Sequence, residues 1–427
     1  MNVKTLYSRD TAQKVKSLVM EHHKWREGCI NLLAAENISS PTMRQIVASD
    51  LMHRYAEYEQ HDIERRWDEG ARYVIEIEKL AQDLARRLFQ ARYADLRPIS
   101  GHLAAIACIL AFTKPGGATL EIEPAYGGHE WHQIATSNRV VNYKPDWIPF
   151  DVEQWNVDVD ATNEKIKKLK PDIIILGSSF YIFPHPIAEL RDAADNVGAK
   201  IVYDGAHVLG LIAGRQWPNP LTLNADALTA STHKTFPGPQ KGIILSNQEA
   251  VWHKAAGSLY PSLTTNHHLM NVAAFAYAMA EFLEYGEAFM AQVVKNAKAL
   301  GQALSEEGFD VIGAQKGFTQ SHQVLLRTER YMPPKDAARA VDKANIICNK
   351  MDLQGAQGLR LGTAEVTRMG MRESEMKEIA RFIKDTIIAR KDPTENAAKV
   401  FEFTKDFRTI RFSFDEGMNA YKYLELK

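Results

Sequence analysis

Apolar residues recur near the start of the chain with the spacing of a helix. Residues 11–25 place Val15, Leu18 and Trp25 near one side, which predicts an amphipathic helix. Residues 53–72 follow neither helical nor strand periodicity, although they contain two tyrosines, a tryptophan and many charges. Because long ordered loops rich in aromatic residues usually bind something, we interpret residues 53–72 as a binding element.

From residue 73 to about residue 245, short apolar runs alternate with helical patterns. Continuous apolar strands between helices predict a mostly parallel sheet that is covered by helices on both faces. Ligands bind such sheets at the carboxyl ends of the strands. The predicted strands are residues 118–122, 172–176, 200–204 and 227–230.

The pattern changes after about residue 285, where helical stretches alternate with a few short strands. A chain of 427 residues suits two domains, one of them large. We predict an N-terminal helix with an arm and substrate loop in residues 1–72, a large domain in 73–285, and a smaller C-terminal α+β domain in 286–427.

Composition narrows the functional classes. Hydrophobic residues make up 45% and charged residues 25%, and the formal net charge of -1 gives no electrostatic reason to expect nucleic acid or an anionic membrane as partner. No run approaches the roughly 18 apolar residues of a membrane span, and the first ten residues lack an apolar signal core. The three cysteines lack metal-binding spacing. We expect a cytoplasmic protein without a metal site.

Lys234 is the first candidate for chemistry. It stands in Ser-Thr-His-Lys-Thr, after a predicted strand and before a Pro/Gly turn. A lysine held beside a cleft loses its proton at modest cost, and the neutral amine forms a Schiff base with an aldehyde. A surface lysine after a strand is the ordinary alternative. The aldehyde interpretation therefore depends on what the rest of the chain supplies.

Two motifs suit the phosphate and the ring nitrogen of an aldehyde cofactor. Ser100 and Gly101 open an apolar helix, and a helix start with a serine hydroxyl binds phosphate well; an ordinary cap is the alternative. Asp204 ends a predicted strand, with His207 three residues later. A carboxylate there can keep a pyridine nitrogen protonated, and it can equally cap a helix.

Two further motifs suit the ring face and an amino acid substrate. His129 follows two glycines that permit close approach, so its imidazole can lie flat on an aromatic ring or be structural. Arg360 is a lone cation in Gly-Leu-Arg-Leu-Gly-Thr, where it can bind an α-carboxylate or form an internal salt bridge. Together with Lys234, these features are what a pyridoxal 5′-phosphate site needs.

The chain resembles the serine hydroxymethyltransferase family, particularly its archaeal-type branch, over essentially its whole length. The resemblance implies the aspartate-aminotransferase-like fold, fold type I of the pyridoxal-phosphate enzymes, with residues 73–285 binding the cofactor. It also implies a homodimer with active sites at the subunit interface. The motifs that carry it are residues 54–57, 100–101, 127–129, 203–211, 231–235 and 358–363.

The resemblance also implies a role for each candidate residue. Arg360 would bind the amino acid carboxylate near His207, and Glu57, reaching in from the partner subunit with Tyr55, would transfer a proton at the substrate hydroxyl. The residues that would hold the cofactor are Lys234 at its aldehyde, Asp204 at its ring nitrogen, His129 on the ring, Ser179 and His207 near the phenolic oxygen, and Ser100, Gly101, His233 and Tyr55 at the phosphate.

Three stretches depart from the family pattern. The family's Ala-Ser-Glu-Asn has Ala35 in place of serine, and its Gly-Lys-Arg-Tyr-Tyr-Gly-Gly loop is residues 64–70 here, with Trp67 and Asp68 in place of the tyrosines. The segment that usually carries a phosphate-binding Gly-Gly pair is residues 260–268. These changes also resemble threonine transaldolases, which exchange aldehydes on a glycine carbanion without a pterin; drift of loop sequence without a change of substrate is the alternative.

Two activities therefore stay open. The broad match favours interconversion of serine and glycine with a reduced pterin, tetrahydrofolate or a relative, as one-carbon carrier. The alternative is a transaldolase or β-hydroxy amino acid aldolase that acts on an amino acid and an aldehyde. An aminotransferase or decarboxylase would leave Glu57 and Tyr55 without a role, and a non-catalytic interaction module is disfavoured because Lys234, Asp204 and Arg360 are all present.

Overall fold

The computed structural model describes residues 9–59, 61–130, 142–424 and 426. Short strands are spread along most of this length, and four of them match the four predicted strands closely. They are β1 Ile30–Asn31, β2 Tyr93–Asp95, β3 Ala118–Glu121, β4 Lys144–Trp147, β5 Phe150–Asp151, β6 Asn156–Val157, β7 Ile173–Leu176, β8 Lys200–Asp204, β9 Ala227–Ser231, β10 Gly242–Ser246, β11 Asp310–Val311, β12 Gln323–Arg327, β13 Ile346–Ile347, β14 Asn349–Leu353 and β15 Ala356–Gly362.

The helices cover the strands and connect them. They are α1 Arg9–Glu27, α2 Pro41–Val47, α3 Arg72–Phe89, α4 Gly101–Phe112, α5 Val159–Leu169, α6 Ala188–Val197, α7 Leu209–Ala213, α8 Glu249–Leu259, α9 Leu269–Glu306, α10 Pro334–Lys343, α11 Ala364–Arg368, α12 Glu373–Ile387 and α13 Pro393–Thr404. Three short 3-10 helices lie at Asp50–His53, Pro124–Tyr126 and Ala314–Lys316.

A seven-stranded sheet forms the centre of the molecule, in the order β2-β10-β9-β8-β7-β3-β4. Strand β10 runs antiparallel to both neighbours, and the other pairs are parallel. Every residue of β7, β9 and β10 is buried, since helices cover both faces. Helices α4 and α8 pack on one face, and α3, α6 and α9 enclose the core on the other. The predicted α/β class with a mostly parallel sheet is confirmed.

A smaller antiparallel sheet, β11-β12-β15-β14, lies in the C-terminal part. Its own hydrophobic core includes residues from α9, α10 and α12. A further cluster joins Ile182 and Phe183, which follow β7, to Leu325 and Met351 of the small sheet. This contact brings the small sheet to the carboxyl end of the large one, where the predicted site lies.

Helix α9 runs unbroken for 38 residues, roughly 57 Å. Phe275 and Met279 in its first half belong to the hydrophobic core of the seven-stranded sheet, whereas Leu300 and Leu304 in its second half belong to the core of the smaller sheet. The predicted boundary at residue 285 falls inside this helix. The division into 1–72, 73–285 and 286–427 stays a prediction.

The N-terminal helix forms as predicted, but the other described residues leave its apolar side exposed. None of its residues is buried. Val15 is 55% exposed and Leu18 50% exposed. Apolar side chains arranged along one helix usually pack on something, so this side is available to a partner.

Candidate active site

Lys234 follows β9 in a loop that two threonine side chains hold in place. The Thr232 hydroxyl donates to a backbone carbonyl of the same loop at 2.6 Å, and the Thr235 hydroxyl donates to the His207 carbonyl at 3.0 Å. Burial lowers the pKa of Lys234 to about 8, and the negative charge of Asp204 opposes this effect. The amine is therefore more available as a nucleophile than that of a surface lysine.

Asp204 is the last residue of β8. Its Oδ1 accepts the backbone N–H of Ala206 at 2.9 Å. This is a local turn and not a helix cap, because α7 begins only at Leu209. Burial raises the pKa of Asp204, and the charge of Lys234 opposes that rise. A buried carboxylate at this sheet edge suits a partner that carries a proton, such as a pyridinium nitrogen.

His129 reaches the site through a tight turn after β3. Gly127 ends the helix Pro124–Tyr126 with φ of +92°, a conformation that glycine adopts without steric cost. The ring centroids of His129 and His102 lie 5.3 Å apart. Burial, followed by the charges of His102 and Lys234, lowers the pKa of His129 to about 4. The imidazole is therefore neutral near pH 7, which suits stacking on an aromatic ring.

Arg360 lies in the middle of β15 and is only 7% exposed. Its guanidinium donates to Asn349 Oδ1 at 3.2 and 2.8 Å and to the backbone carbonyl of Ser179, and it lies 4.6 Å from the centre of the Phe180 ring. Across the described residues, no carboxylate forms an ion pair with it, and burial lowers its pKa to about 10. A buried guanidinium that contacts only neutral groups suits an incoming carboxylate.

Two residues that the sequence did not single out complete the polar wall. Gln323 Nε2 contacts His207 Nδ1 at 3.1 Å and donates to the Ser179 carbonyl at 3.3 Å. The His322 ring stacks on His207 at 5.8 Å, and its Nε2 contacts the Ala34 carbonyl at 3.0 Å. His322 and Gln323 lie at the start of the buried strand β12, where polar residues precede an apolar run. This change from polar to apolar is the one sequence signal that could have identified them.

Helix α4 begins beside this group with Ser100 as its cap. The Ser100 hydroxyl accepts the Leu103 N–H at 3.2 Å, so the ordinary capping role is present. Backbone N–H groups at a helix start also attract anions, and the two roles are compatible. A side chain at Gly101 would not fit, because its Cβ would lie 2.4 Å from Ser231 Oγ. The helix start is therefore held close to the loop that carries Lys234.

Several buried polar atoms in this region, including Asn37 Oδ1 and His322 Nδ1, lack a hydrogen-bond partner among the described residues. Two others of this kind are Thr229 Oγ1, on the strand next to Asp204, and His233 Nδ1, beside Lys234. Buried polar atoms are normally paired, so these two fit a bound group with hydrogen-bonding oxygens. Pyridoxal phosphate has such oxygens in its phosphate and on its ring. The residues present therefore fit this cofactor.

A cavity of about 570 Å³ leads away from the lysine loop. Its lining includes His233, Ala35, Asn37 and Gln240. The Asn37 side chain donates to the Thr235 carbonyl at 3.1 Å, which ties this wall to the residue after Lys234. The stretch around Ala35, where the family usually has a serine, therefore borders the predicted site.

Glu57 and Tyr55 lie elsewhere in the chain, on the loop before α3. The Tyr260 hydroxyl donates to Glu57 Oε2 at 3.2 Å. Glu57, Tyr260 and Trp67 line an open cavity of about 750 Å³. Tyr55 is 59% exposed. Within one chain, the structure brings neither side chain to the group around Lys234.

The fold and these side chains together define a class of protein. A mostly parallel sheet with a smaller C-terminal sheet, a buried lysine of lowered pKa after β9 and a carboxylate ending β8 are the features of a fold type I, pyridoxal-phosphate-dependent enzyme.

Comparison with known proteins gives the family. The serine hydroxymethyltransferase family model matches residues 9–383. The serine hydroxymethyltransferase of Thermococcus kodakarensis is 42% identical over 96% of this chain and 97% of its own, and that of Methanocaldococcus jannaschii is 43% identical over 97% and 98%. The chain belongs to the serine hydroxymethyltransferase family, and the predicted resemblance and enzyme class are confirmed.

A solved structure of the same fold carries a different activity. The crystal structure of L-threonine transaldolase from Pseudomonas fluorescens, in its internal aldimine state, is similar with a TM-score of 0.89 and 29% identity. The match covers 97% of this chain and 96% of the other. The predicted fold class is therefore confirmed by a close structural neighbour.

Two further findings concern membranes and metal ions. The described residues contain no helix that is long and apolar enough to cross a membrane. Among the same residues, no three His, Cys, Asp or Glu side chains are grouped as they would be around a metal ion. The three cysteines are free, and Cys29 and Cys108 are buried.

Proposed function

We propose that this enzyme transfers a one-carbon unit between serine and glycine, with pyridoxal phosphate at Lys234 and a reduced pterin as carrier. The observation that carries the proposal is the Arg360 guanidinium, which is buried, bonded only to neutral groups, and close enough to lower the pKa of Lys234. A cation in this position needs a carboxylate, and an amino acid substrate supplies one.

The chain's own groups have separate tasks in this proposal. Pyridoxal phosphate, when bound, accepts into its ring the electron pair that is left on the substrate Cα. Arg360 binds and orients the carboxylate, and Asp204 holds a proton at the ring nitrogen. Glu57 takes the proton of the substrate hydroxyl as the Cα–Cβ bond breaks and returns it in the reverse direction.

The remaining candidates would hold the cofactor. The helix start at Ser100 and Gly101 supports a phosphate site, and so does His233 Nδ1, which has no hydrogen-bond partner in the described part of the chain. Ser179 and His207 lie on the wall that Gln323 ties together, which supports their position near the phenolic oxygen. His129, with its lowered pKa, suits the face of the ring.

We also propose a homodimer, because one chain does not assemble the whole site. Glu57 and Tyr55 of one protomer would serve the Lys234 site of the other. Two observations support this arrangement: Tyr55 is exposed, and Val15 and Leu18 present an uncovered apolar side of α1. A cytoplasmic location and the absence of nucleic acid or membrane partners accord with the net charge of -1.

A second candidate function is transaldolase activity, in which an aldehyde adds to a glycine carbanion without a pterin. The observation that favours it is the similarity to the Pseudomonas fluorescens transaldolase over 97% of the chain. Trp67 adds to the case, because its large side chain is 66% exposed and lines the cavity beside Glu57, where a second substrate would approach.

One experiment separates the two activities. Serine and threonine are each supplied with and without a reduced pterin, and an aromatic aldehyde is added in a parallel set. Serine cleavage that requires the pterin identifies hydroxymethyl transfer. Threonine-dependent conversion of the aldehyde into a new β-hydroxy amino acid, with release of acetaldehyde and at a rate that the pterin does not change, identifies a transaldolase and overturns the first proposal.

A further inference from the structure

Two of the three stretches in which this chain departs from its family meet at Glu57. The Glu57 N–H donates to Asp68 Oδ2 at 3.1 Å, and the Trp67 N–H donates to the Glu57 carbonyl at 3.1 Å. The Tyr260 hydroxyl, from a stretch 203 residues away in sequence, donates to the Glu57 carboxylate at 3.2 Å. The backbone and the side chain of Glu57 are thus bonded to residues of the two stretches that depart from the family pattern.

Tyr260 is itself held by a buried ion pair. Its ring centre lies 5.3 Å from the Arg97 guanidinium, which donates to the Asp95 carboxylate at 3.0 and 2.7 Å. The Trp67 side chain lines the same cavity as Tyr260 and Glu57. The phenol donates its one proton to the Glu57 carboxylate. Burial and the Glu57 charge raise the pKa of Tyr260, so the phenol keeps its proton.

The loop on the other side of Glu57 is anchored to the same buried charges. The Tyr58 ring lies between two guanidinium groups, Arg66 and Arg97, each 4.8 Å from its centre. Arg66 donates to the carbonyl of Ala56 at 2.5 Å and forms a buried ion pair with Glu78. Both residues that flank Glu57 are therefore fixed, while the Glu57 side chain itself faces an open cavity.

We infer that Tyr260 is a positioning residue that fixes the Glu57 carboxylate for proton transfer. Tyr260 occupies Oε2, which leaves Oε1 to take the hydroxyl proton of the substrate and to return it. A glutamate has several rotatable bonds, and a misplacement of about 1 Å costs on the order of 100-fold in rate. The inference rests on the proposed role of Glu57 in proton transfer.

The test compares Tyr260→Phe, which removes one hydroxyl, with the parent enzyme loaded with cofactor. We expect kcat for cleavage of the β-hydroxy amino acid to fall about 10- to 100-fold. The affinity for glycine and the exchange of its Cα proton with solvent, which need no proton transfer at a hydroxyl, should change less than about twofold. Tyr260→Leu, which also lacks the hydroxyl, should lower kcat in the same direction.

A matched control is Tyr331→Phe, which removes a hydroxyl that donates to the Gly308 carbonyl at 2.6 Å in the C-terminal part. It should leave kcat unchanged. Melting temperatures of all variants show whether each is folded; if Tyr260→Phe does not fold, Tyr260→Leu decides. Unchanged kcat in the folded variants, or an equal loss in glycine proton exchange, would overturn the inference.

Glu57→Gln separates this inference from the proposed function. If Glu57→Gln keeps the parental kcat, the proposed role of Glu57 is wrong whatever Tyr260 does. If Glu57→Gln loses activity while Tyr260→Phe does not, only the inference fails. If both are right, the double variant loses no more than Glu57→Gln alone, because the two side chains act as one unit.

Discussion

An equal mixture of two inactive variants should recover activity if Glu57 serves the partner's site. Lys234→Ala removes the amine that would bind the cofactor, and Glu57→Gln removes the proton-transfer group. The structure separates these residues within one chain, because Glu57 bonds Tyr260 and Asp68 while Lys234 lies between Thr232 and Thr235 at the end of β9. A hybrid dimer would therefore contain one site with both residues intact and one site with neither.

The size of the recovery follows from counting sites. Random pairing makes half of the dimers hybrid, and half of the sites in a hybrid are intact, so the mixture should reach about 25% of parental activity. The variants are mixed, unfolded in denaturant and refolded together, and serine or threonine cleavage is then measured. Each variant refolded alone is the control. Recovery near zero, with dimers present by light scattering, would refute a shared site and place Glu57 at the lysine of its own chain.

Other predictions concern the buried groups around the lysine. Arg360→Lys loses the forked contact with a carboxylate, at a cost of about 1.5–3 kcal/mol. The KM for the amino acid should therefore rise about 10- to 100-fold while the absorbance of the cofactor persists, and an unchanged KM would remove Arg360 from substrate binding. The pKa of Lys234 is about 8, and only the neutral amine attacks an aldehyde. The rate at which the apoenzyme takes up pyridoxal phosphate should therefore rise with pH and level off above about 8. Stopped-flow absorbance measures this rate, and a rate that does not depend on pH would contradict the lowered pKa. Thr229→Val replaces by a methyl group a buried hydroxyl that has no partner among the described residues, so the melting temperature of the apoenzyme should hold or rise while the gain in melting temperature on cofactor binding shrinks. An equal gain in both proteins would show that the hydroxyl does not contact the cofactor.

The strands and the residues at their ends could be predicted from the sequence, because both are local. Ile173–Leu176 is a short apolar run between helical patterns, and Asp204 is the first charged residue after such a run. A parallel sheet then brings the ends of neighbouring strands to one edge. Lys234 was identified in the same way, as the cation that follows the last of these strands.

The pairings across the site could not be predicted, because they join distant segments. His207 and Gln323 are 116 residues apart, and Arg360 and Ser179 are 181 apart. The local sequence around one residue of such a pair does not indicate which distant residue it contacts. The continuity of α9 was also missed, since its buried residues keep one helical stripe and only the core on which that stripe packs changes.

The charges around Lys234 explain why the site suits an anionic cofactor and an anionic substrate. Lys234 and Arg360 are both cations when protonated, and each contributes to lowering the pKa of His207. Burial is the first cause of the lowered pKa at Lys234, Arg360 and His129, and Asp204 is the acidic group that opposes it at the lysine. A phosphate near Ser100 and a carboxylate on Arg360 would each add negative charge where the chain has little. Each anion would therefore be attracted to the site, because it stabilises the protonated forms of Lys234 and Arg360, which burial disfavours.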